Sequence, residues 1–433
     1  MGLTTENWLG NSGLIEMDDV SAMATGLPQV QRDRVHFLLL NVGHFLDHLF
    51  TLVIATVAVT ALQVEWGLTY DQVLSYAAPG FFAFGVFALP AGWLADKWSR
   101  EGMIAVFFVG IGLASILTAA AQSPMQIGFA LFVVGMFAAI YHPVGLAIVT
   151  ERWKNTGMRL AVNGVWGNLG VGSAALITGY FIDHGGWRIA FIAPGLVSIL
   201  FGAIYGIMFW PEIKPRRADP SRPKPIVTPI AASADYRAML WRISAIVFIT
   251  TAVSSIIFQS TTFALPKVFD ERLRGLASTA TGLGQLAFMV FAVASVGQLI
   301  VGYALDRVGP RLVFMTVAMV QAVFFAIMPG LIDGPALLCA VAFMLAAFGQ
   351  IPINDYMISR MAQGEFRARV FGLRYVISFT VLAATLPLIK FVYATWGFDT
   401  LFRILAVTAT VILVVVSRLP ARMPQPQGVA AAT

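Results

Sequence analysis

The stretch NVGHFLDHLFTLVIATVAVTALQ, residues 41–63, is apolar for long enough to cross a bilayer as a helix, yet it carries His44, Asp47 and His48. At about 100° per residue, these three positions fall within roughly 100° of arc. Both imidazoles and the carboxylate therefore share one helical face. An ionisable group is costly in hydrocarbon unless it is paired or faces water. Three on one face point to a lined cavity, and the cavity reads as a transport pathway rather than a membrane anchor.

The rest of the chain agrees with a membrane setting. Of 433 residues, 58% are hydrophobic and 12% charged, and the mean hydropathy is +0.79, values foreign to a soluble globular protein of this length. Apolar runs near the roughly 20 residues needed to span hydrocarbon recur almost to the C-terminus. Read against turn and charge signals, they give twelve spans at about 35–63, 71–95, 102–121, 124–150, 158–182, 187–210, 240–268, 279–305, 311–332, 334–360, 367–395 and 397–418. The expected class is an all-α membrane protein of twelve transmembrane helices. Segments such as 104–121 are apolar on every face, without the alternation of a transmembrane barrel. Cys339 is the single cysteine, so neither a disulfide within the chain nor a cysteine metal cluster is available. Residues 1–34 are polar and mixed in charge, and no cleavable signal peptide is expected.

Residues 211–239 carry Pro211, Pro215, Pro220, Pro223, Pro225 and Pro229 with five basic side chains between 214 and 224, and read as a solvated linker. The expected organisation is a tail (1–34), a six-helix bundle (35–210), the linker (211–239), a second six-helix bundle (240–418) and a tail (419–433). With both termini cytoplasmic, only Arg188, Lys267, Arg272, Arg274, Lys390 and Arg403 lie outside, leaving 22 of the 28 basic residues inside. The positive-inside bias favours that orientation in the plasma (inner) membrane. It also explains the net charge of +6 without a nucleic-acid partner.

An internal repeat recurs at about 210 residues. Gly92-Trp-Leu-Ala-Asp96-Lys97 follows the second span and Gly302-Tyr-Ala-Leu-Asp306-Arg307 follows the eighth, with Arg100 and Arg311 just beyond. Gly186-Trp187 with Phe191 is echoed by Gly397-Phe398 with Phe402. Two pseudo-symmetric six-helix bundles in tandem are implied. The segment at 92–100 resembles the loop signature of the major facilitator superfamily, with Ser99 where a glycine is usual, and 302–311 resembles its second copy. The resemblance covers the whole chain and implies the major facilitator fold. It also implies gating roles for Gly92, Asp96, Arg100, Gly302, Asp306 and Arg311, although the basic residues there also serve topology. Within that superfamily, His44-Phe-Leu-Asp-His48, Tyr141-His142-Pro143 and Gly167-Asn168-Leu-Gly170 are similar to the fosmidomycin-resistance type of efflux permease.

In the resembled fold, spans one, four, seven and ten line the central cavity. His44 and His142 each lie about nine residues from the same end of their spans, at one depth. His44, Asp47, His48 and His142 are the candidate proton-coupling residues, a cluster that would exchange protons as a unit. Bracing of the packing is the competing role for any single histidine. Asn41, Tyr141, Trp166, Asn168, Gln259, Gln350, Asn354 and Asp355 are candidate substrate-binding residues. Asn163, Gln285 and Gln298 are read as interhelical hydrogen-bonding groups. Asp355 is open between binding a cation or proton and neutralisation by Arg360 and Arg374. Gly164, Gly167, Gly170 and Gly172 are assigned to close helix packing.

Five histidines without a His-Glu-x-x-His pattern, and no phosphate-binding glycine loop, argue against an enzyme or an ATP-driven step. No cofactor and no metal are expected. The partners expected are a small-molecule substrate, protons and the lipid bilayer, with the protein a monomer. The functional expectation is proton-coupled secondary transport of a small organic solute, with efflux of a drug-like or metabolic compound leading. Proton-driven uptake of a small organic acid and a ligand sensor without net flux are the alternatives.

Overall fold

A computed structural model of the chain describes residues 28–153, 156–213, 234–361 and 364–420. Among them there is no strand, and eleven helices are long and apolar enough to cross a membrane. They run as α1 (Gln29–Glu65), α2 (Tyr70–Lys97), α3 (Arg100–Ala119), α4 (Pro124–Arg152), α5 (Thr156–Gly185), α6 (Trp187–Met208), α7 (Ala234–Arg272), α8 (Ala280–Val308), α9 (Pro310–Ile327) and α10 (Asp333–Gly349 continuing as Ile351–Met361), before a final helical stretch, Gly364–Val416.

That final stretch holds an apolar span of 41 residues. At 1.5 Å per residue it would run for about 60 Å, twice the thickness of a hydrocarbon core. Gly397 breaks it, with φ 75° and ψ −177°, into α11 (364–396) and α12 (398–416). Gly186, between α5 and α6, has φ 83° and ψ 165°. The two ends of the sequence repeat thus share one backbone device, in a region of conformational space open essentially to glycine. Nothing lies within 4 Å of a Cβ built on either glycine, so Gly186→Ala is expected to cost about 1–3 kcal/mol from backbone strain alone, measurable as a lowered midpoint of thermal unfolding.

Two spans start earlier than their hydropathy predicts. α1 begins at Gln29 rather than 35 because its polar first turns are held by partners. Arg32 pairs with Glu212 at 2.6 Å, Arg152 with Asp33 at 3.0 Å, and His36 Nε2 lies 2.8 Å from the Tyr205 hydroxyl. α7 likewise begins at Ala234, inside the expected linker. Most of that linker (214–233), like residues 1–27 and 421–433 of the two tails, lies outside the described residues.

Helix starts follow local chemistry. Ser99 Oγ accepts from the Gly102 N–H at 3.0 Å, Thr279 Oγ1 from the Gly282 N–H at 3.0 Å, and Thr69 with Gln72 closes a capping box before α2. α4 and α10 are each interrupted, at Ala139–Ile140 and at Gln350. The cause is Pro143 and Pro352, which supply no N–H to the preceding turn. The first interruption displays Tyr141 and His142.

The spans of each half pack mainly on one another, while α5 runs along α8 and α2 along α11. At the face opposite the chain termini, these pairs are closed. Asp183, near the end of α5, accepts from the Thr281 N–H at 2.7 Å and hydroxyl at 2.5 Å at the start of α8. Tyr70 of α2 meets Tyr393 of α11 edge-on at 5.1 Å.

Candidate functional site

The site is assembled by α1, α4 and α5. Asp47 is fully buried and places Oδ2 3.3 Å from His142 Nε2, bringing α1 to the α4 break. The His44 ring stacks on Tyr141 at 4.9 Å. Ring centroids of His44 and His48 lie 5.0 Å apart, of His44 and His142 5.2 Å, and of His48 and His142 5.4 Å. All four residues named from the sequence as one cluster are therefore neighbours. The cluster is more enclosed than a water-lined face implies. His44 and Asp47 are buried between the three helices, and accessible surface remains at His48 and His142.

Behind the cluster runs a hydrogen-bonded relay. His44 Nδ1 lies 2.8 Å from the Asn163 carbonyl; a carbonyl only accepts, so Nδ1 carries the proton and Nε2 is the ring's remaining polar atom. Asn163 Nδ2 donates to Asn41 Oδ1 and to the Tyr141 hydroxyl, each at 2.9 Å. That hydroxyl donates to the Leu40 carbonyl at 2.7 Å. Asn163 does bond across helices, but its partners are site residues, and this makes it the hub of the site. Sequence pattern separates Asn163 from Asn168 poorly because both are amides in an apolar span. His44 Nε2, Asn163 Oδ1 and Asn168 Nδ2 are buried without a protein partner among the described residues. Buried polar atoms of this kind call for water or a ligand.

The remaining substrate candidates fall apart spatially. Trp166 and Gln259 are partly buried on α5 and α7. Gln350 is buried at the α10 break and accepts from Gln321 Nε2 at 2.9 Å, while Asn354 Oδ1 accepts from the Thr250 hydroxyl at 3.3 Å. These form a second polar group in the C-terminal half. Sequence reading missed Gln321, whose signal was a lone amide in the apolar α9. The side chains of Asp355 and Arg360 lie outside the described residues.

Of the gating candidates, Arg100 pairs with Asp96 at 2.8 Å and with Glu151 at 2.6 Å. It thereby ties the adjacent ends of α2, α3 and α4 within one half. Glu151 was not anticipated. Gly92 faces Pro143, whose Cβ would lie 3.4 Å from an added Cβ. Gly302 and Arg311 are partly exposed on α8 and α9, and the Asp306 side chain lies outside the described residues. A separate cleft of about 740 Å³ opens between the two halves at the face opposite the termini, lined by Gln63, Tyr70, Asp71, Glu271, Tyr393 and Gly397 among others. None of its lining residues belongs to the histidine cluster.

Residues 40–295 and 247–432 match the family model described as Major Facilitator Superfamily. Among curated proteins, the chain is 30% identical over 163 residues to the puromycin resistance protein pur8 of Streptomyces alboniger, covering 37% of this chain and 32% of that one. It is 30% identical over 172 residues to the niacin transporter NiaP of Acinetobacter baylyi, covering 38% and 39%. It is 22% identical over 152 residues to a gallate transporter of Pseudomonas putida, covering 35% and 33%. The chain thus spans about a third of the length of these relatives. Among solved structures, a bacterial homolog of the human lysosomal transporter Spinster, inward-facing and unoccupied, superposes with a TM-score of 0.67 at 16% identity, over 90% of this chain and 96% of that chain. At that identity the likeness concerns the fold.

Proposed function

The chain belongs to the Major Facilitator Superfamily, and from that premise we propose that it carries a small organic acid across the membrane by alternating access. It is a multi-pass membrane protein and, its relatives being transporters, not an enzyme. In this reading the halves 35–210 and 240–418 rock about a central site, with protons as the driving ion. The protein acts as a monomer in the inner membrane with both termini inside. The observation that carries the proposal is the polar core joining α1, α4 and α5. Ionisable and amide groups are retained in hydrocarbon where they serve a pathway, and here four ionisable side chains meet at one depth.

The substrate class is supported by relatives whose names specify niacin and gallate; both acids are carboxylates on planar rings. The imidazoles of His48 and His142, which keep accessible surface, and the unpartnered Asn168 Nδ2 suit such a solute. The pair Asp96–Arg100, braced by Glu151, is the proposed gating element. In proteoliposomes holding the purified chain, radiolabelled nicotinate or gallate is expected to accumulate saturably when an alkaline interior is imposed. Flux indifferent to the gradient would remove proton coupling, and no saturable flux of either acid would remove the substrate class.

A second reading, export of a drug-like compound, is favoured by the name of the puromycin resistance relative. The His44–His48 and Tyr141–Pro143 stretches, which resemble the fosmidomycin-resistance permeases, support it too. Puromycin accumulation inside everted vesicles, without organic acid uptake by the proteoliposomes, is the outcome that selects it.

A further inference from the structure

We propose that His44, His48 and His142 bind one divalent transition-metal ion of the zinc class. One ring nitrogen of each lies within 4.8 Å of the others. Ligands at about 2.0–2.1 Å around a tetrahedral ion stand about 3.4 Å apart, so the rings need close by only about 1 Å. His44 and His48 are one helical turn apart on α1, the spacing at which two imidazoles converge on a single ion. The third ligand comes from α4, nearly a hundred positions along the chain. A sequence scan therefore finds no metal motif, and the expectation of no metal is what this proposal replaces.

The surroundings are those of a metal site rather than of histidines that merely pack. A ligating imidazole characteristically gives its second nitrogen to a carbonyl or carboxylate, which orients the ring. His44 does so with the Asn163 carbonyl at 2.8 Å, and His142 Nε2 lies 3.3 Å from Asp47 Oδ2. His44 Nε2 is buried with no protein partner. Gly167 keeps the space beside it clear, since a Cβ there would stand 2.6 Å from that nitrogen. Three neutral nitrogen donors select zinc, nickel, cobalt or copper over magnesium or calcium, which prefer oxygen. Three protein ligands leave a coordination position open, as in sites that exchange metal or admit an outside ligand.

The proposal does not rest on transport. The test is Co²⁺ titration, followed by visible absorption and equilibrium dialysis, of the full chain in nanodiscs, purified without a polyhistidine tag. The wild type is expected to bind one ion per chain with the visible bands of a nitrogen-ligated site. His48→Ala, His142→Ala and Gly167→Ala are each expected to weaken binding at least tenfold. His184→Ala, outside the cluster, is expected to leave it unchanged. Thermal unfolding without metal checks that each variant is folded, and His48→Ala, at a partly accessible position, carries the test if the others are not. No stoichiometric binding by the wild type, or wild-type affinity in a folded His48→Ala, overturns the proposal. A wild type that binds no metal yet takes up nicotinate overturns the metal site alone, and a wild type that binds one ion but shows no uptake overturns the transport reading alone.

Discussion

Asp47→Asn is expected to lower gradient-driven uptake at least 100-fold while leaving solute exchange across proteoliposomes within a few-fold of wild type. The amide matches the carboxylate in size but carries no charge and takes up no proton, so the solute pathway survives while the coupling step does not. A 100-fold loss corresponds to about 2.7 kcal/mol on the limiting barrier. Asp47 is fully buried, with His142 Nε2 at 3.3 Å, and in the variant the histidine faces an amide in place of a carboxyl group. Altering one partner of a buried polar contact is ordinarily destabilising, so the variant's thermal midpoint belongs beside the flux. If the folded variant still concentrates solute under an imposed gradient, Asp47 is not the coupling residue.

Gly170→Leu is expected to abolish the folded protein rather than tune it. A Cβ on Gly170 would run into the carbonyl of Phe45, which is backbone and cannot swing aside. α1 and α5 would have to separate, taking with them the bonds from Asn163 to Asn41 and Tyr141. Overpacking of this kind costs about 3 kcal/mol or more. The readout is loss of the monodisperse peak in size-exclusion chromatography together with a collapsed thermal midpoint. Gly164→Ala is the internal comparison, because nothing lies within 4 Å of its added Cβ, and it is expected to remain close to wild type. A Gly170→Leu protein as stable as Gly164→Ala would mean that α1 and α5 do not approach as described.

These neighbouring glycines show where sequence reading stops. Gly164, Gly167, Gly170 and Gly172 share one assignment, close helix packing. In the fold, Gly164 faces open space, Gly167 abuts the His44 ring, Gly170 the Phe45 carbonyl and Gly172 the Cβ of Phe291 on α8. The sequence says that small residues are concentrated on this helix; it does not say what each one meets. Asn163 does bond between helices as its sequence reading has it, but its partners, and the role of Glu151, were not legible for the same reason, since they are contributed by other helices.

What the sequence determined by itself was the membrane setting, the number and order of the spans, the two-fold repeat and the face shared by His44, Asp47 and His48. Each of these follows from local regularities: apolar runs matched to bilayer thickness, a repeated glycine–aspartate turn, and the 3.6-residue period of a helix. Tertiary structure decided that His142 completes the cluster, that Asn163 orients it, that Arg100 is held within one half, and that α5 and α8 are locked at one face by Asp183 and Thr281. Those outcomes depend on crossing points of helices far apart in the chain, where a shift of one turn, about 5.4 Å, exchanges one partner for another and leaves the hydropathy pattern unchanged.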